Sequence, residues 1–245
     1  MTFCLGIKVK TGIVALADTR ITSGTNTTTS KKITTHQIGK NSLFLMTSGL
    51  RSVRDKALTY FEEAISEKEF TYNKMYKAVN AFCEQLRRVA SEDKEALKAS
   101  GLFFDLHALV GGQLADDDTH KLFLLYPQGN WIEIGEATPF AIIGNAGYGQ
   151  PILNRVISYD SPLRDALKAG FLSFDSTRVS ASDVGYPLDI VLYKTGTFEM
   201  VEQRFSYNDL KYISVEWAEH LKDSVKELSE DWMDNLLKEE DQEKI

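Results

Sequence analysis

Five positions near the start of the chain carry residue types that together could perform acyl transfer. They are a threonine at 2, an aspartate at 18, a lysine pair at 31 and 32, and a glycine at 49. Methionine aminopeptidases accept a small second residue, and threonine is small enough. Loss of Met1 would leave a hydroxyl and a free α-amine on Thr2. An α-amine titrates near pH 7.7–8.0, at about the values of small peptides, so part of it can accept a proton near neutrality. A threonine hydroxyl alone is a poor nucleophile, but beside its own amine it has a built-in general base. The remaining parts are a cation to favour the alkoxide, an anion to hold that cation, and a backbone N–H for the oxyanion. Lys32 or Lys31 could be the cation, Asp18 its anchor, and Gly49 the donor.

Such a site needs a rigid terminus, and the sequence supplies a strand there. Residues 3–9 alternate, with Phe3, Leu5, Ile7 and Val9 on one face. Ile13 to Ala17 is a continuous apolar run, as expected of a strand covered on both faces. A three-residue turn at 10–12 would set Val9 opposite Ile13 and Thr2 opposite Arg20. Asp18 would then be a diagonal neighbour of Thr2 on the same face, about 7–8 Å away.

Residues 21–31 read as a polar loop or edge, and Lys32 to Ile38 and Ser42 to Thr47 as strands. Two amphipathic helices are expected over 50–65 and 72–90, each with one apolar stripe. Strands follow at 103–112, 121–126 and 131–143. Helices are expected at 149–158 and 161–172, a hairpin at 188–203, and one long helix from about 208 to 238 before a short acidic tail. Hairpins imply antiparallel sheets, and paired helices could cover them. The fold class is α+β: a four-layer αββα sandwich of two antiparallel sheets between helices. No linker divides the chain, so residues 1–245 are expected to form a single domain.

Composition narrows the function. The net charge of −7 carries no basic stripe, which argues against a nucleic-acid binder. Cys4 and Cys83 are the only cysteines and are far apart, which fits a reduced, cytoplasmic setting. No apolar run is long enough to span a membrane, and Lys8 and Lys10 interrupt any signal sequence. His36, His107, His120 and His220 lack zinc-site spacing. Neither a metal nor a cofactor is expected. Cys4, inside a strand, reads as a core residue.

The spacing of Thr2, Gly6, Lys8, Gly12, Ala15, Ala17, Asp18 and Arg20, with Lys31-Lys32 and a strand ending Ser48-Gly49-Leu50, resembles the catalytic β-subunits of the proteasome. The start of the chain, the segment 148–157 and Phe174-Asp175-Ser176-Thr177 are similar to the bacterial proteasome-like peptidases called Anbu. The resemblance implies the N-terminal-nucleophile (Ntn) hydrolase fold and a threonine peptidase acting on peptide or protein substrates. It also implies self-association into ring-like homo-oligomers. Within it Thr2 is nucleophile and base, Asp18 orients Lys32, Lys32 lowers the hydroxyl pKa, and Gly49 supplies the oxyanion N–H. The Asp-x-x-Ser support of that family has no exact counterpart here; Asp175 and Ser182 come nearest to it, with Asp183 close behind. Where the proteasome subunits have a serine, this chain has Tyr148, between Gly147 and Gly149. Two other readings are an amidase on a small or isopeptide substrate and a catalytically silent ring scaffold.

Overall fold

The computed structural model describes residues 2–23, 26–67 and 72–237. Met1 and the acidic stretch at 239–241 lie outside the described residues. By contact density the chain falls into two units, Met1–Ser206 and Tyr207–Ile245.

The first unit is built on two five-stranded antiparallel sheets. One contains β1 (Phe3–Val9), β2 (Gly12–Asp18), β10 (Phe140–Gly144), β11 (Leu188–Lys194) and β12 (Met200–Phe205), in the order β10-β1-β2-β11-β12. The other runs β5 (Ile33–Ile38), β6 (Asn41–Gly49), β7 (Leu106–Gln113), β8 (Lys121–Leu125) and β9 (Trp131–Glu133), paired in sequence order. Between them in the chain, β3 (Arg20–Ser23) and β4 (Asn26–Thr29) form a separate ribbon where a polar loop or edge is expected.

Helices cover the outer faces. α1 (Arg51–Glu67) presents Val53, Ala57, Phe61 and Ile65, and α2 (Met75–Ala99) presents Ala78, Val79, Phe82, Leu86 and Val89. These stripes bury against Leu43, Leu45, Ala108, Val110, Phe123 and Leu125 of the second sheet. α3 (Gln150–Val156) packs on α4 (Leu163–Ser180), which lies across β1 and β2. Cys4, Ile13, Ala15, Ala17, Phe44, Met46, Leu109 and Leu122 fill the space between the sheets. Every residue of β1 and β2 is buried, because one face meets the opposite sheet and the other meets α4. Burying a leucine or phenylalanine side chain is favourable by about 1.5–3 kcal/mol, so this double cover holds the first strand firmly. The architecture is the expected four-layer sandwich.

The helices expected over 72–90 and 161–172 run on to Ala99 and Ser180, and three further expectations differ from the structure. The β1–β2 turn has two residues, with Val9 opposite Gly12 and Cys4 opposite Ala17. The register therefore shifts by one, and Asp18 falls beyond Ala17 in line with Phe3 rather than diagonal to Thr2. The strand expected over 131–143 is two strands in different sheets, β9 pairing β8 and β10 pairing β1. Gly135 and Pro139 lie in the crossing, and proline cannot donate to a ladder.

The long helix expected to 238 ends at Glu227. α5 (Tyr207–Glu227) is followed by a turn and by the short α6 (Asp234–Leu237). Beyond the end of α5, Ser229 Oγ accepts the N–H of Asp231, a local bond that competes with helix continuation. The apolar residues of this segment are thus divided: Leu210, Ile213, Trp217 and Leu221 lie on α5, Leu228 and Trp232 lie beyond it, and Leu236 lies on α6.

Candidate functional site

Thr2 immediately precedes β1, and its carbonyl is fixed by the first residues after β10. The N–H of Asn145 donates to Thr2 O at 2.7 Å. Gly144 lies alongside with φ +90°, where a Cβ would come within 1.9 Å of that oxygen. Only a residue without a side chain allows this approach. Phe3, next in the chain, donates its N–H to Asp18 Oδ1 at 2.8 Å. The end of the first strand is therefore held on both sides.

Asp18 is fully buried at the end of β2. The same Oδ1 receives the Lys32 ammonium at 2.6 Å, and Lys32 also donates to the carbonyl of Arg20 at 2.7 Å. Gly185 N–H lies 3.5 Å from the other carboxylate oxygen. Burial pushes the Asp18 carboxyl above its ordinary value, while Lys32 and the N–H donors of Phe3 and Gly185 pull it down. Lys31, the other lysine of the pair, is more exposed and pairs with Glu202 on β12. Of the two lysines, Lys32 is thus the one joined to Asp18.

Thr2, Lys32 and Gly49 line one cleft of about 730 Å³. Gly49 ends β6 with φ +141°, and a Cβ there would meet Asp105 O at 2.2 Å. The following residue, Leu50, donates its N–H to that same carbonyl at 2.8 Å, just before α1 begins. The apolar walls come from Ile21, Leu124, Ile142 and Ile143.

The weaker candidates lie elsewhere. Asp175, on α4, is buried and bridges Arg178 at 2.6 Å, and the Arg178 guanidinium lies over the Tyr186 ring. Ser182 is exposed, and its carbonyl accepts a bond from Arg20 Nη1 at 2.8 Å. Neither residue lines the cleft. Asp183 is held below the ordinary carboxylate value: burial works against this, and hydrogen bonding and positive charge, Lys32 included, outweigh it. Tyr148 is half exposed ahead of α3. Cys4 is buried, its thiol directed at Thr47 O, and burial pushes its pKa up, which disfavours the thiolate.

Sequence reasoning missed Arg51, Arg54, Asp105, His107 and Tyr126, all of which line the cleft. The two arginines follow Gly49 at the start of α1, a signal available in the sequence. The other three come from or beside β7 and β8, and only sheet pairing brings them to the same place.

The proteasome subunit family model matches residues 2–178. Among solved structures, a Gly-1 mutant of Anbu from Hyphomicrobium sp. strain MC1 is 31% identical, with a TM-score of 0.86, covering 94% of this chain and 98% of its own. Anbu (ancestral beta-subunit) from Yersinia bercovieri is 28% identical, with a TM-score of 0.85, covering 93% and 97%. The helical assembly of the Anbu complex from Pseudomonas aeruginosa is 28% identical, with a TM-score of 0.84 and the same coverage. No curated protein sequence matches the chain at a significant level.

Proposed function

Since this chain belongs to the proteasome family and is similar to its Anbu members, we propose that it is a threonine peptidase with Thr2 as nucleophile. The observation that carries this reading is the cleft itself: Thr2, Lys32 and Gly49 share it, and Asp18 is buried against Lys32.

Once Met1 is removed, the Thr2 α-amine takes the proton of its own hydroxyl, and Oγ bonds to the carbonyl carbon of the substrate. The positive charge of Lys32 favours the developing alkoxide, and Asp18 keeps that ammonium in place. The N–H of Gly49 stabilises the tetrahedral oxyanion. The C–N bond then breaks, the amine leaves with the proton, and an ester to Thr2 remains. Water attacks the ester, releases the acid and restores the hydroxyl. The family and the helical assembly of the related Anbu complex support self-association of this chain as well.

The test is a covalent probe. An epoxyketone or β-lactone should modify the intact protein once per chain, with the adduct on Thr2 and with Met1 absent. A mass spectrum retaining Met1 and no adduct would overturn the peptidase reading in favour of a silent scaffold.

A further inference from the structure

The side chains that line the cleft are richer in cations than the molecule as a whole. The chain is net −7, yet Arg20, Lys32, Arg51 and Arg54 line the cleft against Asp105 alone. The nearby carboxylates are unevenly shared among these cations. Asp18 is committed to Lys32. Asp55 is shared between two arginines, with Arg51 at 3.3 Å and Arg54 at 2.6 Å. Asp105 faces His107 at 3.2 Å. Arg20 donates to the carbonyl of Ser182, which is uncharged.

The carboxylates beside these four cations are Asp18, Asp55, Asp105 and Asp183, the last under the influence of Lys32, so the excess of cation lies at the start of α1, where Arg51 and Arg54 share Asp55. Arg51 is exposed at the rim and Arg54 is largely covered, with 66% and 13% of their side chains accessible. Both sit at the start of α1, which has no acidic residue in its first turn to offset the positive end of its dipole. A guanidinium has five donors in a planar fork, and one shared carboxylate leaves several without an ionic partner.

We infer that this cleft selects acidic peptides, with an aspartate or glutamate side chain flanking the scissile bond held by Arg54 and Arg51. This rests on the peptidase reading above for the role of the cleft. The uncharged walls of Ile21, Leu124, Ile142 and Ile143 raise the strength of such a pairing by excluding water. A basic side chain placed there would meet like charge.

The test uses the full chain with Thr2→Ala and fluorescein-labelled heptapeptides whose two central residues are Glu, Gln or Lys. Fluorescence anisotropy at low salt should show the Glu peptide binding about tenfold more tightly than the Gln peptide, and the Lys peptide most weakly. Raising the salt should shrink the difference, because exposed charges are screened. Arg54→Glu should reverse the order. Arg51→Gln, an exposed change that leaves the core intact, should reduce the Glu preference severalfold. Equal binding of the Glu and Gln peptides, no binding of any, or a preference unmoved by both variants would overturn the inference. The same peptides offered to the unmutated chain separate the two readings. Acidic peptides that bind without turnover or Thr2 labelling would sink the peptidase reading alone, and turnover without acidic preference would sink this one alone.

Discussion

Lys32 Nζ lies 2.6 Å from Asp18 Oδ1, and the same oxygen accepts the N–H of Phe3 at 2.8 Å. One carboxylate therefore holds both the ammonium that lines the cleft and the backbone adjoining Thr2. The placement of the cation and the placement of the chain start are a single arrangement.

Removing one member of this pair should be severe for two separable reasons. Lys32→Ala leaves a fully buried carboxylate without its cation, which costs about 3–5 kcal/mol in comparable buried pairs. The double variant Asp18→Leu with Lys32→Met removes both charges and should regain most of that stability in urea unfolding. It should remain unreactive toward a β-lactone at Thr2. Recovery of labelling along with stability would show that Lys32 is structural only.

Acidification should weaken Thr2 labelling in two phases: a first as the α-amine takes up a proton below about pH 7.7–8.0, and a second, lower in pH but above the ordinary aspartate value of 3.8, because burial raises the Asp18 carboxyl. Protonation of that carboxyl removes the negative charge that positions Lys32. A profile with the first phase but no second loss above pH 3.8 would exclude Asp18 as a group on which labelling depends.

Thr2→Ala should abolish peptide hydrolysis, while Thr2→Ser should keep a reduced rate with the same probe adduct. Losing the nucleophile from such a site costs on the order of a thousandfold or more. Melting temperatures of both variants should stay near that of the parent chain, since Thr2 is not a core residue.

Gly144→Ala should damage the site without touching its chemistry. The new Cβ would fall 1.9 Å from Thr2 O at a positive φ, which forces Thr2 to move. We expect a loss of about 1–3 kcal/mol in stability and slower probe labelling. An alanine variant with unchanged labelling would show that the carbonyl contact does not position Thr2.

His120 should make the fold acid-sensitive. It is fully buried, donates from Nε2 to Val9 O at 2.8 Å, and accepts at Nδ1 from the Thr195 hydroxyl at 2.8 Å. Burial is the main cause that lowers its pKa from 6.5 to about 4, with Lys8 and Lys121 acting in the same direction and the Val9 bond against it. Below pH 6.5 the unfolded chain takes up a proton that the folded chain refuses. The stabilisation is therefore complete above that pH and is lost as the pH falls towards about 4, amounting to at most about 3 kcal/mol. His120→Gln should flatten the fall in urea midpoint between pH 7 and 4. An unchanged slope would assign the acid sensitivity to other groups.

The layer order was readable in the sequence because apolar period and turn residues are local properties. The all-apolar run at 13–17 and the single stripes of α1 and α2 each specify which faces need cover, and only a few stackings provide it. The candidate pair was also readable, because Asp18 ends one strand and Lys32 precedes another. The break at Gly135 and Pro139 was visible in residue type and was overridden by the apolar character around it.

Other features depended on long-range packing. The two-residue turn shifted the register, yet Asp18 still reaches the site through Phe3 and Lys32, a contact that no strand parity describes. The cation-rich cleft joins the start of α1 to residues on or beside β7 and β8, more than fifty positions later in the chain. Side-chain types and their local rhythm decide which elements form. Which charges face one another is decided only when sheets pair and stack, because that distance has no counterpart along the chain.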